Sequence, residues 1–198
     1  MAPFRLTTNP LTWLKLFCLG GVGGALCDQI HVRGHVLTYP DPVFLGQSWW
    51  VAPNFGVATC AMYAATSLWA GWAEQADPLA VTRADIVRNA LWFLAAYLAS
   101  AGLQEQPQWL AVLYAVLLLR RLIRRRDALP QLCNAVGLAI GGTLVEVALA
   151  SASKFSYLHP SMGPVPLWLP GIYLHGGPLA MAVIRALRQR EAQKAALA

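Results

Sequence analysis

Residues 131–151 read QLCNAVGLAIGGTLVEVALAS, an apolar and small-residue run broken by one ionisable group, Glu146. A bilayer core about 30 Å thick takes about 20 such residues as a helix, which satisfies its own backbone polar groups where water cannot. Working outward, the same reading gives spans at 11–30, 50–71, 86–103, 108–123, 131–151 and 168–187. The predicted fold is an all-α integral membrane protein, residues 1–198 forming one domain of six transmembrane helices in one bundle. The rest of the composition agrees: 57% of the 198 residues are hydrophobic and 12% charged, where soluble domains carry about a quarter charged residues.

Local signals refine the spans. Leu11 to Ile30 is too long for a signal-peptide core, and no small-residue cleavage site follows it, so it reads as the first span. Pro107 suits the first turn of the fourth helix. The short link Gln104–Gln106 makes spans three and four an antiparallel hairpin. No inverted repeat relates residues 11–103 to 108–187, which disfavours a small transporter. The four cysteines, Cys18, Cys27, Cys60 and Cys133, all lie in apolar stretches and read as small buried packing residues rather than disulfide partners.

The basic residues set the orientation. Arg5, Lys15, Arg83, Arg88, Arg120, Arg121, Arg124, Arg125, Arg126, Arg185, Arg188, Arg190 and Lys194 fall on one side of the six spans, and only Arg33 and Lys154 on the other. Both termini are therefore expected in the cytoplasm. The run Arg120–Arg126 follows from that bias, and nucleic acid is not expected as a partner.

Chemistry-bearing motifs are few. The chain has no G-x-S-x-G, H-E-x-x-H, P-loop or C-x-x-C. His31 and His35 lack a third ligand nearby, so no catalytic residue, metal site or cofactor is expected. Two acids inside apolar segments stand apart: Asp28 near the outer end of span one, and Glu146 about 6–9 Å below the outer end of span five. Such groups mark functional sites because exposing them to lipid is costly. Glu146 shares a helix face with Thr143, Gly142, Ala139 and Ala150. The pairs Gly20/Gly24 and Gly137/Gly141 permit close helix packing, and Trp49, Trp50 and Trp168 are expected in an interfacial aromatic belt.

Short segments in order carry a family resemblance: Gln29-Ile30; Val36-Leu37-Thr38-Tyr39-Pro40; Ser48-Trp49-Trp50-Val51 with Pro53 and Gly56; Arg88, Phe93 and Ala99-Ser100-Ala101; Thr143-Leu144-Val145; Tyr157-x-x-Pro160; Trp168-Leu169-Pro170, Ile172-Tyr173 and Gly176-Gly177. Over about residues 12–188 the chain resembles the Insig (insulin-induced gene) family. The resemblance implies a non-catalytic protein that binds a sterol between helices and engages a membrane-protein partner. It implies that Phe93 lines the lipid site. A glutamine of the family's fourth span falls on Leu110, and an aspartate needed for the partner falls on Asp127.

The expected lipid-binding set is Phe93, Glu146, Thr143, Asp28, Gln29 and Trp50. The alanine-, arginine- and leucine-rich composition leans toward a bacterial homologue in the inner membrane. There the ligand would be diacylglycerol-like rather than a sterol, and a homo-oligomer is the alternative to a membrane-protein partner. The competing function is a membrane enzyme acting on a lipid or isoprenoid through Glu146 or Asp28.

Overall fold

The computed structural model describes residues 9–197. Six helices are present among the described residues: α1 (Pro10–Arg33), α2 (Val51–Ala76), α3 (Arg83–Leu103), α4 (Pro107–Leu122), α5 (Ala128–Ser151) and α6 (Leu169–Ala196). Each covers one predicted span. Three of them, α1, α3 and α5, are long and apolar enough to cross a membrane. The others fall short for readable reasons. Helix α4 has only 16 residues, α2 carries Asn54, Thr59, Thr66 and Ser67 along its length, and α6 breaks its apolar run with Gly171, Tyr173, His175, Gly176, Gly177 and Pro178.

Starts and stops follow local chemistry. Asn9 accepts from the Leu11 N–H ahead of Pro10. Thr82 and Asp85 form a reciprocal capping box on α3, which satisfies two otherwise orphaned N–H groups. Pro107 opens α4 as expected.

The surface is apolar and the interior partly polar. Leu19, Val22, Leu26, Leu91, Leu98, Val112, Leu119, Ile140 and Leu144 are exposed, while Thr66, Ser67, Ser100, Gln131, Asn134, His175 and Arg185 are buried. A water-soluble bundle sorts these types the other way, and an apolar surface of this extent needs a covering.

The all-α expectation needs one amendment. Two short strands, β1 (Leu37–Thr38) and β2 (Ser156–Tyr157), pair antiparallel, with Thr38 opposite Ser156. They join the α1–α2 and α5–α6 connections at one end of the bundle.

The pairing exposes a direct duplication, which an inverted-repeat comparison of the two halves does not register. Helix starts and ends recur at a constant step of 118 residues: Pro10 and Ala128, Arg33 and Ser151, Val51 and Leu169. The left-handed residues His35 and Ser153 obey the same step, as do the isolated bridges Phe44–Gln47 and Met162–Val165. In sequence, Gly23-Gly24-x-Leu26-x-Asp28 recurs as Gly141-Gly142-x-Leu144-x-Glu146, and Tyr39, Pro42 and Trp50 recur as Tyr157, Pro160 and Trp168. Since Thr38 lies opposite its own counterpart, the two helix pairs are related by a two-fold axis through the ladder. Both connections lie on the same face, so this is a parallel repeat.

The duplicated glycines explain how each pair closes. A Cβ on Gly24 would lie 2.3 Å from the Phe55 ring, and one on Gly142 would lie 2.3 Å from the Tyr173 ring. Phe55 and Tyr173 are themselves 118 residues apart. Gly20 also meets Thr59 of α2, so the first glycine pair packs as expected. Gly137 and Gly141 face open space, so the second does not: on α5 the packing glycine is Gly142, one residue round the helix. Gly142→Ala is expected to displace Tyr173 and to cost about 1–3 kcal/mol, read as a lowered Tm of the purified protein.

The cysteines are less buried than expected: all four are free, Cys18 is exposed, and the other three are only half-buried. Cys27 packs against the core, and the Cys60 thiol reaches the Trp13 carbonyl of α1 (3.8 Å).

Candidate lipid-binding site

Each repeat delivers one carboxylate beneath the β1–β2 ladder. Asp28, on the last turns of α1, is buried, and its Oδ2 accepts from Tyr39 Oη (2.9 Å) and Gln47 Nε2 (2.8 Å). Glu146, at the equivalent place on α5, accepts from Tyr157 Oη at Oε2 (3.2 Å) and from Tyr173 Oη at Oε1 (2.9 Å). Tyr39 and Tyr157 are counterparts, so the tyrosine–acid bond is duplicated with the helices. The second donor differs: the first repeat uses Gln47 from its loop, whereas the second uses Tyr173 where the first has Phe55.

The two acids line one small cavity of about 20 Å³ with Tyr39, Trp50, Phe55 and Phe155. That volume admits one water-sized polar group. Each carboxylate is left with acceptor capacity beyond its two bonds. A ligand hydroxyl can therefore donate to one of these carboxylate oxygens inside an aromatic wall.

The other expected site residues scatter. Trp50 is half-buried on the cavity wall and edges onto Tyr39 at 5.7 Å. Trp49 is exposed. Trp168, expected beside it in the belt, is instead in the core at 1% exposure. It sits against Tyr157 (6.0 Å) and His31 (5.6 Å), because the fold turns it inward across the ladder.

Phe93 lies away from the cavity, edge-on to Tyr97 at 5.2 Å and against Gly176. Thr143 is buried, and its hydroxyl finds no partner among the described residues. Gln29 points to the loop and donates to the Leu45 carbonyl (3.0 Å). Its geometry ties the α1 end to the connection instead of reaching a ligand. Leu110 is a buried core residue.

Asp127 is a larger correction. The resemblance makes it a partner contact, but its carboxylate is fully buried. It accepts from Arg125 at both oxygens (2.8 and 3.0 Å), from Gln131 Nε2 (3.0 Å) and from Arg185 Nη1 (3.0 Å). Burial alone would raise this carboxyl, yet the bonds from Arg125 and Gln131 and the charges of Arg125 and Arg185 hold it below its ordinary value. The group ties α5 to α6.

Two histidines have roles that their isolation in sequence does not suggest. His31 Nε2 meets Ser100 Oγ at 2.7 Å, and Ser100 donates onward to the Tyr97 carbonyl (2.8 Å), so His31 is the donor. His175 accepts at Nδ1 from Arg121 (2.8 Å) and hence donates at Nε2 to the Tyr114 carbonyl (3.2 Å). Both are satisfied core histidines, and no metal-holding cluster exists among the described residues.

No protein-family model and no curated protein matches the chain. Two solved structures do. One is MvINS, a mycobacterial Insig homologue from Mycobacterium vanbaalenii, at TM-score 0.69 and 21% identity, covering 94% of this chain and 98% of that one. The other is a cross-linked trimer of MvINS, at TM-score 0.67 and 20% identity, with the same coverage. Resemblance in short sequence segments and likeness over nearly the whole backbone converge: in fold, this chain is Insig-like, built as the mycobacterial homologue MvINS is built.

Proposed function

We propose that the chain is a multi-pass protein of the bacterial cell membrane, its six helices all transmembrane and both termini cytoplasmic. It binds a neutral hydroxyl-bearing lipid, diacylglycerol-like or sterol-like, in a regulatory or scaffold role without catalysis. The observation that carries this reading is the pair of carboxylates brought by duplicated helices to one aromatic-walled cavity. The cavity takes the lipid hydroxyl only, and the acyl tails run along the apolar helix surface. Acceptors without a cation suit a neutral polar headgroup. The trimeric state of MvINS supports a homo-oligomer here.

Orientation is checked by cysteine-accessibility labelling. Positions 125 and 194 are expected to label from the cytoplasmic side and 33 and 154 from outside; opposite labelling of 125 and 194 rejects the six-span reading.

Lipid binding is checked by native mass spectrometry of gently extracted protein, with one lipid mass expected per protomer. Delipidated protein should regain Tm on addition of dioctanoylglycerol. Glu146→Gln keeps size and hydrogen bonding and should be mild. Glu146→Leu leaves Tyr157 and Tyr173 without their acceptor and should cost about 1–3 kcal/mol together with lipid retention. A Glu146-dependent lipid product in cells would instead establish the enzyme.

A further inference from the structure

A second and larger cavity, about 420 Å³, lies at the opposite end of the bundle from the β1–β2 ladder. Four arginines line it: Arg88 from α3, Arg121 from α4, Arg125 from the α4–α5 link and Arg185 from α6. The run Arg120–Arg126 is thus more than a topology signal, since Arg121 and Arg125 turn into this cavity while Arg120, Arg124 and Arg126 stay exposed.

The arginines are not equivalent. Arg125 and Arg185 neutralise the buried Asp127. Arg88 pairs with Asp85, which also caps α3. Arg121 has no acidic partner among the described residues. Its guanidinium stacks 5.3 Å from the Trp92 ring and donates to Asn89 Oδ1 (2.7 Å) and His175 Nδ1 (2.8 Å). Two uncharged acceptors and an aromatic face hold its plane but leave its charge uncompensated.

Buried polar atoms in the same wall lack partners among the described residues. Arg185 Nε has none, although the residue is only 2% exposed, and Gln131 Oε1 has none. Asp77, the remaining acid on the wall, accepts from the Leu79 N–H (3.3 Å) and gives its carbonyl to Arg185 (2.6 Å).

We propose that this cavity binds a phosphate group, held chiefly by Arg121 and Arg88. A planar guanidinium fork matches phosphate oxygens bidentately, and Trp92 fixes the plane of that fork. A phosphate supplies the negative charge that Arg121 lacks. The basic end of the bundle stands where the headgroup phosphates of an anionic leaflet would lie, so a phospholipid is the natural donor. A soluble phosphomonoester offers the same chemistry.

The test uses full-length protein in neutral detergent. Tm is followed against dioctanoyl phosphatidate, glycerol 1-phosphate, inorganic phosphate and dioctanoylglycerol. Phosphatidate is expected to raise Tm saturably, with apparent affinity at least about ten-fold weaker in Arg121→Gln, the loss of one charged bidentate contact. Because Arg121 also braces α3, α4 and α6, Arg88→Gln serves as the second variant. Arg88 is exposed, its loss should leave the fold intact, and its affinity should also fall several-fold.

Equal stabilisation by glycerol 1-phosphate supports the site and assigns it to a soluble donor. Stabilisation by phosphatidate alone assigns it to a lipid. A response to dioctanoylglycerol that matches phosphatidate and survives both arginine substitutions overturns the proposal, as does no response to any phosphate compound.

Discussion

Asp127→Ala is expected to destabilise the protein by about 3–5 kcal/mol, the usual cost of stranding one member of a buried ion pair. The pair is enclosed: Asp127 is 0% exposed, and the Arg185 side chain 3%. Arg185 also donates to the Asp77 and Leu79 carbonyls (2.6 and 3.0 Å), so its guanidinium cannot swing out to water without unpinning the α2–α3 link. The measurement is equilibrium unfolding in detergent micelles. The pair need not be net stabilising relative to apolar residues. Asp127→Ala with Arg185→Met should therefore be much less damaging than the two single changes added together. Additivity of the two would show that they do not interact.

The same pair sets a pH dependence. The Asp127 carboxyl is held below its ordinary value of 3.8, so the unfolded chain takes up its proton first as pH falls. The stabilisation is complete above the unfolded value and is lost as pH drops through the folded one. Tm should fall more steeply below about pH 4 in the parent than in Asp127→Asn, which has no carboxyl to titrate.

Trp168→Ala is the second large effect, expected at about 3–5 kcal/mol for removing a fully buried tryptophan. The cost is not transfer from water, because the surroundings are already apolar. It is the dispersion attraction forfeited when a close-packed site cannot collapse around the smaller side chain. Trp168 touches Tyr157 of its own repeat and His31 of the other, and it precedes α6 as the N-cap residue. Its removal should loosen the junction between the repeats. Its counterpart Trp50, half-buried on the cavity wall, should cost less on substitution to alanine but reduce lipid occupancy more. Comparing Tm and bound lipid for the two variants separates them; a larger stability loss at Trp50 would contradict the assignment of Trp168 as the core residue.

Why these two tryptophans differ could not be read from the chain. Each precedes a helix after a similar loop, with a proline in the first turn of that helix. Duplicated halves that meet face to face need not present equivalent residues to equivalent surroundings, and here one tryptophan is enclosed while its counterpart borders the cavity. The same asymmetry gives Asp28 a glutamine and Glu146 a second tyrosine.

The duplication itself was legible. A G-G-x-L-x-acid pattern stands twice at a step of 118, followed both times by Tyr and Trp at matching distances. Inverted symmetry between halves 11–103 and 108–187 does not capture it, because the repeat is direct and skips α3 and α4.

Properties that depend on local composition are readable from the chain. Six helices begin and end where apolar runs, prolines and capping residues put them, and acids inside apolar runs announce themselves because charge there is costly. Relations between distant residues arise only when the helices pack. Asp28 and Glu146 share one cavity because two helices 118 residues apart are brought together under a four-residue ladder. Asp127, which looked like a surface contact beside an arginine run, is buried because Arg185 reaches it from 58 residues away. Charge sequence alone cannot distinguish an arginine facing water from one turned inward; that choice is made by which helix packs behind it.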